Sequence, residues 1–257
     1  TLSRILIIAV AMCFIGHGSF GIITKPVWCN YFGVVGIGPA LSYKLMPVVG
    51  MVDILLGLSM LVYPTRAVTA WLVLWGMATA MMRPLSGEPV AEFLERAGNF
   101  GAPLALLIIT GFPSKLKDWF LRIRIDEKTD PAAMLKFSVC LRGAALLLLI
   151  GHGWLNISGK EALLNQYSAI GFTEPLHTAN LLGVFEVMLA GMIFIRPLGP
   201  VVFIALVWKL TSELFYPHYM LFEWVERGGS YGVLMALWWV SEKRLPVAGK
   251  AARLVYK

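Results

Sequence analysis

The sequence predicts an all-α, polytopic membrane protein, with eight transmembrane helices arranged as two parallel four-helix repeats. Three observations lead there. Of the 257 residues, 58% are hydrophobic and only 14% are charged. A soluble domain carries about 25% charged residues, so this chain lacks the polar surface that water requires. Apolar runs then recur at lengths suited to a bilayer core, and motifs of the first half return in the same order in the second.

Taken in order, the first half holds apolar runs at 4–23, 45–64, 67–83 and 88–112. The second holds them at 134–155, 179–195, 198–216 and 219–241. Each approaches the roughly 17–25 residues needed to cross about 30 Å at 1.5 Å per residue. Arg4 ahead of a short apolar run resembles the start of a signal peptide, but the pattern recurs near residue 150, so the first run reads as a retained helix. The runs at 88–112 and 219–241 open with amphipathic turns. The chain thus divides into a first repeat at 1–112, a charged linker at 113–133, a second repeat at 134–242 and a basic tail at 243–257.

Two connectors carry more information than the rest. The linker places Trp119, Phe120 and Leu121 among basic residues, as a short interfacial helix or a plain charged linker would. The segment 24–44, with Pro26, Trp28, Tyr31 and Phe32, is too apolar for a solvated loop and calls for a cover from the bundle or a partner.

Basic residues set the orientation. With the N-terminus inside, thirteen lysines and arginines, from Arg4 and Arg66 to Arg253 and Lys257, fall on the inner side, against Lys25, Lys44, Arg83 and Lys160 outside. Both termini are therefore expected to be cytoplasmic, and the expected location is a bacterial inner membrane. A net charge of +7 distributed in this way is that of a chain among membrane lipids and not of a nucleic-acid binder, while the apolar segment 24–44 is where other subunits of a membrane complex are expected. Cys13, Cys29 and Cys140 form neither a disulfide framework nor a thiolate metal site, and no metal site is expected.

The repeat is carried by polar residues as well as apolar ones. Ile15-Gly16-His17-Gly18 returns as Ile150-Gly151-His152-Gly153, and Gly50-Met51-Val52-Asp53 as Gly183-Val184-Phe185-Glu186. Trp75 answers to Trp208 and Pro84 to Pro217. The run Glu92 to Gly101 matches Glu223 to Gly232 at five of ten positions, at an offset that drifts only from 135 to 131 along the chain. Four spans per half give both copies the same polarity, with a pseudo-twofold axis along the membrane normal, unlike an inverted-repeat transporter.

The ionisable residues inside the apolar runs are the candidate site. His17, Asp53 and Arg96 reach a similar outer depth, and His152, Glu186 and Arg227 repeat the layer. Charge at that depth is costly unless paired, which turns these groups inward. Each carboxylate is expected to accept from its imidazole and from an arginine, with Glu92–Arg96 and Glu223–Arg227 as i,i+4 pairs. Two readings compete. The network ties helices together, or it binds a polar head group and passes protons.

The glycines beside each histidine leave room for a flat cofactor, with His17 and His152 as axial ligands of a haem b, unless each imidazole bonds its own half's carboxylate. His177 and His218 have no repeated counterparts and read as interfacial. Arg142 and Lys209 match no charge in the first half. Twelve methionines read as packing residues, and no motif for nucleophilic hydrolysis or phosphate cradling occurs.

Each half resembles the DoxX-like superfamily of four-helix membrane proteins. The likeness rests on His17 and His152 between glycines, on Gly50, Asp53 and Gly57 with Gly183, Glu186 and Gly191, and on Gly98 and Gly101 with Gly229 and Gly232. It implies a respiratory redox setting, such as the membrane subunit of a thiosulfate:quinone oxidoreductase. Two fused units depart from the family's usual single one.

The expectation that follows is a membrane subunit of a redox or respiratory assembly with an outer-leaflet site for a quinone head group or for proton transfer. His17 and His152 exchange protons, oriented by Asp53 and Glu186. Arg96 and Arg227, with Glu92 and Glu223, hold the head group. The alternatives are a non-catalytic scaffold subunit and a small-molecule transporter.

Overall fold

The computed structural model describes residues 2–124, 131–215 and 221–255, and among the described residues it is all-helical, with no strand. In chain order the helices are α1 Leu2–Ile22, α2 Trp28–Val34, α3 Pro39–Val62, α4 Arg66–Leu85, α5 Val90–Glu95 and α6 Ala97–Thr110. The second half gives α7 Pro131–Ile157, α8 Glu161–Ala169, α9 Pro175–Ile195, α10 Gly199–Ser212, α11 Leu221–Glu226 and α12 Gly228–Val255. Four of them, α1, α3, α7 and α9, are long and apolar enough to cross a membrane, and α10 is apolar but shorter.

Local chemistry accounts for the boundaries. Pro39 and Pro175 occupy the first turns of α3 and α9, where a missing N–H costs nothing. Helix α3 therefore starts six residues before the apolar run at 45–64, which places Asp53 in its middle. Thr65 caps α4 by accepting from the Val68 amide at 3.2 Å. Gly111, at φ 77°, closes α6 in a conformation that side chains resist.

The runs at 88–112 and 219–241 are not single helices. Each breaks at an arginine, Arg96 between α5 and α6 and Arg227 between α11 and α12. Backbone groups freed at such a break need side-chain partners in an apolar surrounding, and Arg96 Nη1 reaches back to the Glu92 carbonyl at 3.0 Å. Helix α12 also runs on through the stretch expected as a basic tail. In the linker, Leu116–Trp119 forms one 3₁₀ turn rather than an interfacial α-helix.

Helix α1 lies at the centre, with 67% of its apolar window buried, while α3 and α9 lie outside at 28% and 33%. Their outward faces carry bare apolar side chains, among them Leu55, Leu61, Leu181 and Ile195. The two halves exchange partners at the core. Helix α1 packs on α11 and α12, and α7 packs on α5 and α6. Glycine permits this approach: a methyl group at Gly16 would overlap the Glu226 amide, and one at Gly151 would overlap the Glu95 amide. Where the halves meet, Gly229 lies against the Gly98 carbonyl, an equivalent pair in the repeat.

Candidate functional site

Both histidines make the same first contact. His17 Nδ1 lies 2.7 Å from Asp53 Oδ2, and His152 Nδ1 lies 2.7 Å from Glu186 Oε1. A carboxylate only accepts, so Nδ1 carries the proton and Nε2 is the nitrogen left for a ligand. The second donor to each carboxylate is an indole and not the expected arginine: Trp75 Nε1 donates to Asp53 and Trp208 Nε1 to Glu186, both at 2.7 Å. Each half thus holds a His–carboxylate–Trp triad. Trp75 and Trp208 are visible in the repeat, at the same offset as the acids, but an indole on an apolar run carries no mark of a polar role.

The arginines belong to one cluster that the halves share. Arg96 bonds Glu92 at 2.8 Å and Glu95 at 3.0 Å. Arg227 crosses to Glu95 at 3.1 Å and reaches Glu213 at 3.2 Å. Glu92 also takes Arg83 at 3.2 Å and Lys160 at 2.6 Å, and Glu223 takes Lys25 at 3.1 Å. Lys25 and Lys160 are equivalent in the repeat, as are Glu92 and Glu223, so two reciprocal ion pairs join each half to the other. The i,i+4 pairing expected of Glu92 and Arg96 is present, while Glu223 is drawn to a lysine of the other half.

These groups wall a cavity of about 990 Å³ on the His17 side. Lys25, Arg83, Arg96, Lys160 and Arg227 line it with Glu88, Glu92, Glu223 and Glu226, and Phe20, Trp28, Tyr31, Phe32 and Trp75 supply its aromatic surface. Helix α2, from the apolar segment 24–44, forms one wall. Its Trp28 ring lies 4.8 Å from the His17 ring, and Tyr31 Oη donates to Glu88 at 2.6 Å. Arg83 stands over the Tyr31 ring at 5.3 Å and bonds Glu88 at 2.8 Å. Burial pushes the Tyr31 phenol upward; Arg83 opposes it and the bond to Glu88 adds to it. The phenol therefore stays a neutral donor.

Among the described residues, the second triad is the more closely packed. His152 has a side-chain exposure of 4%, against 16% for His17. Asn156, where the first half has Gly21, bonds Glu186 at 3.1 Å and receives the Tyr167 hydroxyl at 2.6 Å. Lys209 and Glu213 stand where the first half has Gly76 and Ala80, 2.5 Å apart and buried. Glu95 and Glu213 come within 4.8 Å of the His152 imidazole, but each carboxylate is already held by a guanidinium or an ammonium group.

A bis-histidine haem does not fit. The glycines beside the imidazoles are taken up by backbone, Gly16 by Glu226, Gly151 by Glu95, Gly18 by Gly50 and Gly153 by Gly183. The unmatched Arg142 donates to the Ile195 carbonyl at 3.1 Å and closes the end of α9. His177 is exposed, and His218 lies outside the described residues.

No protein-family model, curated protein or solved structure matches this chain. The fold and the apolar helices define the class, an all-helical bundle with helices able to span a membrane.

Proposed function

We propose that this chain is the membrane subunit of a redox or respiratory assembly and that the His17 cavity receives a quinone head group. In this reading eight segments cross a bacterial inner membrane as two parallel repeats, both termini are cytoplasmic, and the cavity opens to the outer leaflet. The resemblance of each half to the DoxX-like superfamily supports the setting. The observation that carries the site is the Asp53–His17 pair, 2.7 Å across, beside a large cavity of aromatic and cationic walls.

The residues fit a carbonyl-bearing aromatic head group. Trp28, Tyr31 and Phe32 offer ring surface, and Arg83 and Arg96 offer N–H groups to an oxygen. A bound quinone supplies two-electron redox chemistry, with the electrons passing to or from a partner subunit. His17 Nε2 would take one of the two hydroxyl protons that oxidation of the reduced form releases, with Asp53 stabilising the imidazolium, and the second proton would leave to solvent through the cavity. Trp75 keeps the carboxylate oriented from its other oxygen.

The test is quinone content per chain after purification in mild detergent, read by lipid extraction and chromatography. His17→Ala and Asp53→Asn should lower the content of the reduced form about tenfold, as loss of one hydrogen bond of about 1.4 kcal/mol implies. His152→Ala should leave it unchanged. Equal reduced quinone in wild type and H17A would end the proposal.

A scaffold role is the second reading, favoured by the closely packed second triad and by the reciprocal ion pairs that clamp the halves. It predicts full partner activity for H17A.

A further inference from the structure

We infer that the opposite end of the bundle carries a second site, which binds the phosphate group of an anionic phospholipid. Arg4 lies in the first turn of α1, about 20 Å along the helix from His17 at 1.5 Å per residue. Beside it is a cavity of about 1080 Å³ lined, among the described residues, by Arg4, Arg66, Arg122 and Arg124 with one acid, Asp118. Among the described residues, Arg4, Arg66 and Arg122 face one carboxylate there, which gives an excess of positive charge and N–H forks that match phosphate oxygens.

Two of the cations are held in place. Arg66 donates through Nη2 to the Thr110 carbonyl at 2.6 Å and through Nε to the Gly111 carbonyl at 3.1 Å, so it covers the negative end of α6 and keeps Nη1 for another oxygen. Arg122 is fixed by its backbone: it pairs with Thr65, and the next amide, of Ile123, donates to the Pro64 carbonyl at 2.8 Å. Ile123 itself is 1% exposed, which anchors the strip to the bundle. The Arg122 guanidinium lies 6.0 Å from the Tyr63 ring centre. Ordering costs that a loose basic loop would meet on binding are already met here.

The surroundings favour a lipid over free phosphate. Phe112, Leu116, Phe120 and Leu121 are 61%, 77%, 61% and 55% exposed on the same strip of chain. Bare apolar side chains beside arginines at the end of a membrane bundle suit acyl chains below a charged head group. A site for inorganic phosphate has no use for them. The inference stands apart from the quinone reading, since no residue is shared between the two cavities.

The test uses the delipidated full chain in non-ionic detergent, titrated with phosphatidylglycerol, phosphatidylcholine or inorganic phosphate and read by native mass spectrometry and thermal unfolding. Phosphatidylglycerol should saturate at one tight adduct and bind well above phosphatidylcholine. Each arginine removed should weaken it roughly fivefold, so Arg4→Gln with Arg122→Gln should lose about 25-fold, and the milder Arg4→Gln alone about fivefold, with quinone content unchanged. Protection by inorganic phosphate that these variants abolish, with no lipid preference, would keep the phosphate site and overturn the lipid as its source. Equal binding of both lipids without phosphate protection, or phosphatidylglycerol binding untouched by all variants, would overturn the site.

Discussion

Lys209 and Glu213 stand 2.5 Å apart with no exposed surface between them, at the two positions of the second half that answer to Gly76 and Ala80 in the first. One half keeps small residues and a cavity beside its histidine. The other puts an ion pair in the same place. Among the described residues, the first triad lines a large cavity, and this ion pair fills the matching place beside the second.

The pair yields a ranking. Glu213 also receives Arg227 at 3.2 Å, so Lys209→Met leaves Glu213 one partner, whereas Glu213→Gln strands a buried ammonium. Breaking a buried ion pair from one side costs about 3–5 kcal/mol. Thermal unfolding in detergent should therefore place Glu213→Gln below Lys209→Met, with Lys209→Met and Glu213→Met together above Glu213→Gln. The reverse order would mean that Arg227 does not hold Glu213 once Lys209 is gone, and that another acid of the cluster, Glu95, compensates the Lys209 ammonium.

Packing between the halves is expected to be intolerant at Gly16 and Gly151. Alanine at either must displace the other half's backbone, and overpacking of this kind costs about 1–3 kcal/mol. Gly143 is the control, because a methyl group there meets nothing within 4 Å. Unfolding midpoints for Gly16→Ala and Gly151→Ala should fall, while Gly143→Ala should hold or rise as helix propensity improves.

Tyr31 gives a pH dependence of known sign. Burial holds its phenol above the usual value of about 10, so the folded protein keeps a proton that the unfolded chain releases. Its contribution to stability is complete below about pH 10 and is lost as the pH rises towards the folded value. Unfolding midpoints should drop through the alkaline range in the wild type and drop less in Tyr31→Phe. Parallel curves would show that the phenol does not titrate differently in the two states.

Much of this was legible in one dimension. Apolar runs and a deficit of charge indicate helices that turn apolar faces outward, and hydropathy sums locally along the chain. The order of His, acid and Trp in both halves put the triad residues at matching places, and a buried carboxylate beside an imidazole is the pairing that desolvation favours. Trp75 itself was on view in the repeat, but only the structure shows its N–H donating to Asp53.

What tertiary structure alone decided is which of several equivalent partners meet. Glu223 had Arg227 four residues away, yet it pairs with Lys25 of the other half, because the breaks at Arg96 and Arg227 let the two short helices exchange neighbours. Glycines beside the histidines were compatible with an approaching cofactor or an approaching helix, and close packing of α1 on α11 took that space. The sequence by itself determined an apolar, duplicated helical chain with an ionisable layer in each half. Pairing across the halves and the cavity beside the first triad depend on which faces come together in three dimensions, and a linear pattern leaves those contacts undetermined.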